Sequence, residues 1–140
     1  MTMMVLSLSK DSIKIATEQD VVLFRNRVKE MAVRIKMGLT NQTRLITAAS
    51  ELVRNMLRYG NGGNGLIEVV TRGRDKGIRL TFTDTGPGIP DISLAMKDGY
   101  STGKSLGLGL PGAKRLVNEF EINSKVGEGT TVMIIKWANG

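Results

Sequence analysis

The sequence predicts an α+β fold, a layer of helices on a mostly antiparallel sheet. Three observations predict it. Apolar residues recur at helical spacing early and late in the chain. Alternating runs come in pairs joined by glycine-containing turns. Neither a repeat nor an interdomain linker interrupts the 140 residues, a length suited to one domain over residues 1–140.

Ser12 to Ala16 alternate apolar and polar side chains and read as a strand. Residues 4–8 are expected to pair with it across Ser9-Lys10-Asp11, so residues 1–12 form an N-terminal extension or an extra edge strand. Thr17 is placed to cap a helix, with Glu18 and Asp20 in its first turn. Val21, Phe24, Val28, Met31 and Ile35 carry that helix to about Lys36, and Gly38 ends it. Thr40 is expected to cap a second helix running to Gly60, followed by Asn61-Gly62-Gly63-Asn64-Gly65 as a connector. Leu66 to Arg72 and Ile78 to Thr83 are strands joined at Arg74-Asp75-Lys76-Gly77. Asp91 to Lys97 suits a short helix, and Asp98 to Ser105 has the polar, glycine-containing composition of a lid. Leu108 to Phe120 reads as a third major helix. Glu121 to Lys125 and Thr130 to Trp137 are strands across the Val126-Gly127-Glu128-Gly129 turn.

Composition narrows the chemistry. With no cysteine and no histidine, disulfides and thiol catalysis are excluded, and any general base is a carboxylate, a lysine or a tyrosine. The lack of cysteine fits a reducing cytoplasm. The first residues, Met1 to Ser9, lack the charged front and cleavage site of a signal peptide. No stretch approaches a membrane span. The net charge of +7 fits either a solvated basic surface or an anionic partner such as ATP or an acidic protein face. One tryptophan, two tyrosines and three phenylalanines, with no nucleic-acid module signature, argue against nucleic acid.

On the second helix Glu51, Asn55 and Arg58 form one stripe, extended backwards by Thr47 and Arg44, opposite the apolar Leu45, Ala49, Leu52, Val53 and Met56. Such a stripe either faces water or serves a phosphate site. In the second case Asn55 offers magnesium one amide oxygen, Glu51 takes a proton from an attacking hydroxyl or water, and Arg58 neutralises phosphate charge.

Asp84-Thr85-Gly86-Pro87-Gly88-Ile89 closes the strand Ile78, Leu80, Phe82. It is either an ordinary turn or a purine contact. An ionised carboxylate only accepts hydrogen bonds, so it favours the amine of adenine over the carbonyl of guanine. Gly86 and Gly88 allow a close approach to the base. Gly107-Leu108-Gly109-Leu110-Pro111-Gly112 matches G-x-G-x-x-G, but the polar Ser101-Thr102-Gly103-Lys104-Ser105 precedes it where a dinucleotide site needs a strand. Asp98 to Ser105 imitates a phosphate loop with an aspartate in place of the first glycine. Both of those readings are rejected. What remains is the attraction of phosphate to amides at a helix start, with Lys104 as a movable charge.

E-x-x-x-N on a helix, D-x-G-x-G-I after a strand, a glycine-rich lid and a late Gly129-Thr130-Thr131 resemble the GHKL ATPases, over nearly the whole span from Ile13 to Trp137. That superfamily includes gyrase, the large heat-shock chaperone, MutL and histidine kinases. The length and the wording of the lid are most similar to the small serine kinases and anti-sigma factors of bacterial stress and sporulation switches. The resemblance implies the Bergerat ATP-binding fold, a two-layer α/β sandwich whose mixed, mostly antiparallel sheet carries helices on one face. It implies ATP and Mg2+ as cofactors. Glu51 matches the catalytic base and Asn55 the metal ligand. Arg58 matches a basic phosphate contact and Asp84 the adenine-reading acid. Gly86, Gly88 and Ile89 match the adjoining wall. Gly103, Lys104, Ser105, Leu106, Gly107, Leu108 and Gly109 match the lid, and Thr130 a threonine supporting adenine.

Without a histidine the chain has no phosphoacceptor imidazole of its own. The resemblance therefore implies a cytoplasmic serine/threonine kinase acting on a STAS-domain regulator, an anti-anti-sigma protein or a stressosome scaffold. Three alternatives share the same motifs: an anti-sigma factor that sequesters a sigma factor, a switch protein that activates a phosphatase, and a plain ATPase in which water replaces the hydroxyl. A basic nucleic-acid binder without catalysis is the remaining rival.

Overall fold

The computed structural model describes residues 4–97 and 109–140. The elements run β1 (Leu6–Ile15), α1 (Glu18–Arg34), α2 (Leu39–Tyr59), β2 (Gly63–Arg72), β3 (Asp75–Asp84), α3 (Ile92–Ala95), α4 (Gly109–Leu116), β4 (Glu119–Lys125) and β5 (Gly129–Trp137). The strands form one sheet in the order β1-β2-β3-β5-β4. All four pairings are antiparallel. This is the predicted α+β sandwich, with no parallel pair among the described residues.

Strand alternation decides which face carries the helices. Ile67, Ile78, Leu80, Phe82, Val132 and Ile134 pack with Phe24 and Val28 of α1, Leu45, Leu52, Val53 and Met56 of α2, and Ala113 of α4 in one core. The intervening residues project from the other face. There Arg79 donates two hydrogen bonds of 3.0 Å to the carboxylate of Glu68, which is only 3% exposed. Beside that pair Arg72 donates to Glu119 at 3.0 Å and stacks 5.0 Å from the Trp137 ring centroid. The Arg79 guanidinium holds the Glu68 carboxyl below its ordinary range.

Several boundaries differ from the prediction. Residues 6–15 form one continuous edge strand on β2, with a register irregularity between Ser7 and Ser9, rather than two short strands across Ser9-Lys10-Asp11. The local polar turn signal yields there to a full ladder with β2. The Thr17 side chain caps α1 as expected, and Asp20 returns the bond to the Thr17 amide at 2.9 Å. That helix ends without glycine. Lys36 takes φ +61, the Lys36 amide donates to the Val33 carbonyl and the Met37 amide to the Ala32 carbonyl, both at 3.0 Å. This is the Schellman pattern, sealed by the buried Met37 and Ala32. Gly38, read as a stop, is instead the N-cap of α2, and no side chain caps that helix. Thr40 lies inside its first turn.

The connector shortens to Asn61-Gly62, because Gly63 and Gly65 enter β2 and pair with Asp84 and Phe82. The β2–β3 turn is Gly73-Arg74, one or more residues earlier than predicted, since Arg72 already pairs with Asp75. Gly73 at φ +60 supplies the first central position that a two-residue hairpin turn of type II′ requires. The last helix stops at Leu116 because Glu119 and Phe120 pair with Ile135 and Ile134. Helical periodicity at 117–120 loses to strand pairing.

Candidate active site

One end of the sheet carries the site. Gly63 pairs with Asp84, Thr83 with Thr131, and Ser124 with Thr130. Gly63, Asp84, Thr130 and Ser124 therefore form a row across four strands. Asp84, Thr130 and Ser124 share the parity of Phe82, Val132 and Ile122, which is the helix-bearing face.

Asp84 is held rather than merely present. Its Oδ1 accepts from the Gly86 amide at 3.0 Å and from the Thr130 amide at 3.2 Å. Among the described residues no donor reaches Oδ2. That oxygen lies against Gly60, the C-cap of α2. A Cβ at Gly60 would sit 2.5 Å from both Cγ and Oδ2 of Asp84. Gly86 also packs closely on Gly60, where its Cβ would stand 2.6 Å from the Gly60 Cα. The arrangement leaves Oδ2 as an acceptor without a donor among the described residues, against the backbone of Gly60.

The segment after Asp84 docks on the β4–β5 turn. The Gly127 amide donates to the Pro87 carbonyl at 2.9 Å, and the Ile89 amide donates to Ser124 Oγ at 2.8 Å. Gly88 has φ +78, a conformation that side chains rarely adopt. Ser124 Oγ also donates to the Gly129 carbonyl at 3.1 Å and lies 2.7 Å from Thr130 Oγ1. Gly86, Gly88, Ile89 and Thr130 are thus brought together with Asp84.

The second group lies on α2. Its predicted apolar face is buried, whereas Arg44, Thr47 and Arg58 are exposed and Glu51 and Asn55 are half-buried. The helix α4 packs against α2, and the amide of Gly109, its first residue, donates to Glu51 Oε1 at 3.0 Å. A carboxylate at a helix start is favourably placed. Glu51 precedes Gly60 by nine positions, about 13 Å along the helix axis, with Asn55 between them. This separation suits an extended nucleoside triphosphate with its base at Asp84. Arg58 sits in the last turn of α2, with its guanidinium 6.0 Å from the Tyr59 ring centroid. Gly109 is the described member of the predicted lid; Gly103, Lys104, Ser105, Leu106, Gly107 and Leu108 lie outside the described residues.

Two site residues escaped the sequence reading. Gly60 looked like a helix stop, and its contact with Asp84 exists only once β3 is laid beside α2. Ser124 looked like one polar residue in a strand. Its alternation with Ile122 assigns a face, but the row it joins depends on the order of β3, β5 and β4.

The model of the histidine kinase-, DNA gyrase B- and HSP90-like ATPases matches residues 40–138. The chain belongs to this ATPase family. Its match to the serine/threonine-protein kinase RsbT of Bacillus subtilis is 47% identical over 126 residues, 89% of this chain and 94% of that protein. The anti-sigma F factor of Geobacillus stearothermophilus is 33% identical over 99 residues, 67% of this chain and 68% of that protein. Among solved structures, the RsbU and RsbW domains of a Mycobacterium tuberculosis protein match with a TM-score of 0.63 at 20% identity, covering 91% of this chain and 31% of that one. A mycobacterial sensor histidine kinase matches with a TM-score of 0.53 at 19% identity, covering 92% and 97%. These two likenesses bear on the fold. Family membership makes ATP the nucleotide this chain uses, and the likeness to RsbT makes the chain an enzyme, a serine/threonine-protein kinase. No helix among the described residues is long and apolar enough to cross a membrane.

Proposed function

We propose that this kinase depends on magnesium as well as ATP and acts in the cytoplasm as one domain over residues 1–140. Its proposed substrate is a STAS-domain regulator, an anti-anti-sigma protein or a stressosome scaffold, in a bacterial partner-switching pathway. The observation that carries the reading is the fixed carboxylate of Asp84, with Oδ1 engaged by two amides and Oδ2 turned to glycine backbone. It accepts the exocyclic amine of adenine and repels a 6-oxo group. Gly86, Gly88 and Ile89 form the wall beside the base, and Thr130 supports it.

At the other end Glu51 is the catalytic base. One of its oxygens is occupied by the Gly109 amide, which fixes the carboxylate and leaves the second to take the proton of a serine or threonine hydroxyl as that oxygen attacks the terminal phosphorus. The bond from that phosphorus to the β–γ bridging oxygen breaks, and ADP leaves. Arg58 and the lid, Gly103 to Gly109 with Lys104, offset charge on the transferred group. Magnesium, when bound, supplies neutralisation across the phosphate oxygens. Asn55 fits it: the residue is half-buried on the same helical face as Glu51. No group of three acidic, histidine or cysteine side chains that could hold a metal exists among the described residues. A single amide oxygen completed by phosphate and water is a mode that magnesium accepts.

Incubation with labelled ATP and candidate STAS proteins tests the assignment. Label on a serine or threonine of one of them, lost with Glu51→Ala while ATP still binds, is the expected result. Transfer that persists in that variant removes Glu51 as the base. The anti-sigma relative favours one second reading, sequestration of a sigma factor. Copurification with a sigma subunit instead of a STAS protein would favour it.

A further inference from the structure

We propose that Ser124 is a positioning residue that fixes the hydroxyl hydrogen of Thr130, so that the side chains of Thr130 and Asp84 both offer the base acceptors only. The inference rests on the reading of Asp84 as the base contact and extends it to a residue two strands away.

Hydrogen accounting carries it. A serine hydroxyl has one hydrogen and two lone pairs. Ser124 Oγ accepts from the Ile89 amide at 2.8 Å and gives its hydrogen to the Gly129 carbonyl at 3.1 Å. At the 2.7 Å contact with Thr130 Oγ1 either hydroxyl can donate; the arrangement that satisfies all three Ser124 contacts at once takes the hydrogen from Thr130. Both lone pairs and the hydrogen of Ser124 are then used. Thr130 retains only lone pairs for a ligand, in the same row as Asp84, whose Oδ1 its own amide already holds at 3.2 Å. An amino group meets two acceptors there. A 6-oxo group meets two like partial charges and no donor; the N1–H that accompanies it in hypoxanthine is common to every variant, so the change of ratio between variants is what reads the Thr130 hydrogen. A threonine whose hydroxyl could rotate would not discriminate in this way, because it could donate to the oxo group.

The test measures dissociation constants of ATP and ITP by titration of the full chain, for wild type, Ser124→Ala, Ser124→Thr and Asp84→Asn. In Ser124→Ala the Thr130 hydrogen is released. The preference for ATP over ITP is expected to fall roughly tenfold, the scale of one neutral hydrogen bond gained by the wrong base, with ITP binding tighter than in wild type. Ser124→Thr keeps the hydroxyl and should restore the preference. In a Thr130→Val background, Ser124→Ala should leave the preference where it was. Parallel weakening of both nucleotides, with the ratio unchanged, overturns the proposal, since a merely structural role of Ser124 would do that. Should the alanine variant not fold, Ser124→Cys keeps the volume with a weaker acceptor; an unchanged ratio there overturns the proposal equally. Asp84→Asn separates the two layers. If it keeps the wild-type ratio, the base-end reading falls and this inference with it. If it collapses the ratio while Ser124→Ala does not, only the role of Ser124 is refuted.

Discussion

Gly60→Ala isolates the geometry on which adenine recognition depends. Gly60 has φ −100 and ψ 2, a conformation open to alanine, so the substitution strains no backbone. The three atoms nearest the new Cβ all belong to Asp84. The new Cβ would stand 2.5 Å from Cγ and Oδ2, against an ordinary contact of 3.4 Å or more, so the carboxylate must retreat by about 0.9 Å. Oδ1 is bound at 3.0 Å and 3.2 Å. A movement of that size breaks at least one of these bonds or turns Oδ2 away from the base. Losing the hydrogen bond between the Asp84 carboxylate and the base, a bond to a charged group, costs about 1.5–3 kcal/mol, which weakens ATP binding roughly 10- to 150-fold. The fold is affected less. Crowding against Asp84 costs about 1–3 kcal/mol of overpacking, partly offset by about 0.4–1 kcal/mol from the lowered entropy of the unfolded chain. Titration with ATP and a thermal melt read the two effects side by side: affinity drops sharply while Tm falls modestly. A folded variant that binds ATP within twofold of wild type would falsify the placement of adenine at Asp84.

Glu51→Gln is expected to lower phosphoryl transfer by about 10²- to 10⁴-fold while ATP affinity changes little; single-turnover transfer measured alongside nucleotide titration checks this, and equal losses in both would make Glu51 a binding group only. Breaking the buried Glu68–Arg79 pair with Glu68→Gln should cost about 2–3 kcal/mol at neutral pH, read by denaturant unfolding. Arg79 lowers the folded pKa of Glu68, so this stabilisation is complete above the unfolded value of about 4.3 and is lost as pH falls through the lower folded value. Wild type should accordingly lose more stability than Glu68→Gln between about pH 5 and pH 3, and parallel curves for the two would contradict the linkage. Gly65→Ala places a methyl group against the ring of Phe24, whose Cδ1 would lie 2.9 Å away. Overpacking of about 1–3 kcal/mol is expected, measured as a lowered Tm, and a Tm equal to wild type would show that Phe24 can yield.

Local chemistry made much of this protein legible in its sequence. Helical periodicity gave α1 and α2 their buried faces, and alternation in β3 set the parity that turns Asp84 toward the helices. The spacing of Glu51 and Asn55 put an acid and an amide on one stripe. These are short-range properties, fixed by the 3.6-residue and two-residue repeats of the backbone. Tertiary structure decided what depends on pairing partners. The polar Ser9-Lys10-Asp11 is strand because β2 runs alongside it, and residues 117–120 leave the helix because β5 offers a ladder. The same holds at the site. No spacing relates Gly60, Asp84 and Ser124; only the strand order β3-β5-β4 beneath the end of α2 sets a bare backbone beside the carboxylate and a saturated hydroxyl beside Thr130. Sequence patterns specify which face a side chain takes, but the neighbour it meets there is chosen by contacts between residues far apart in the chain.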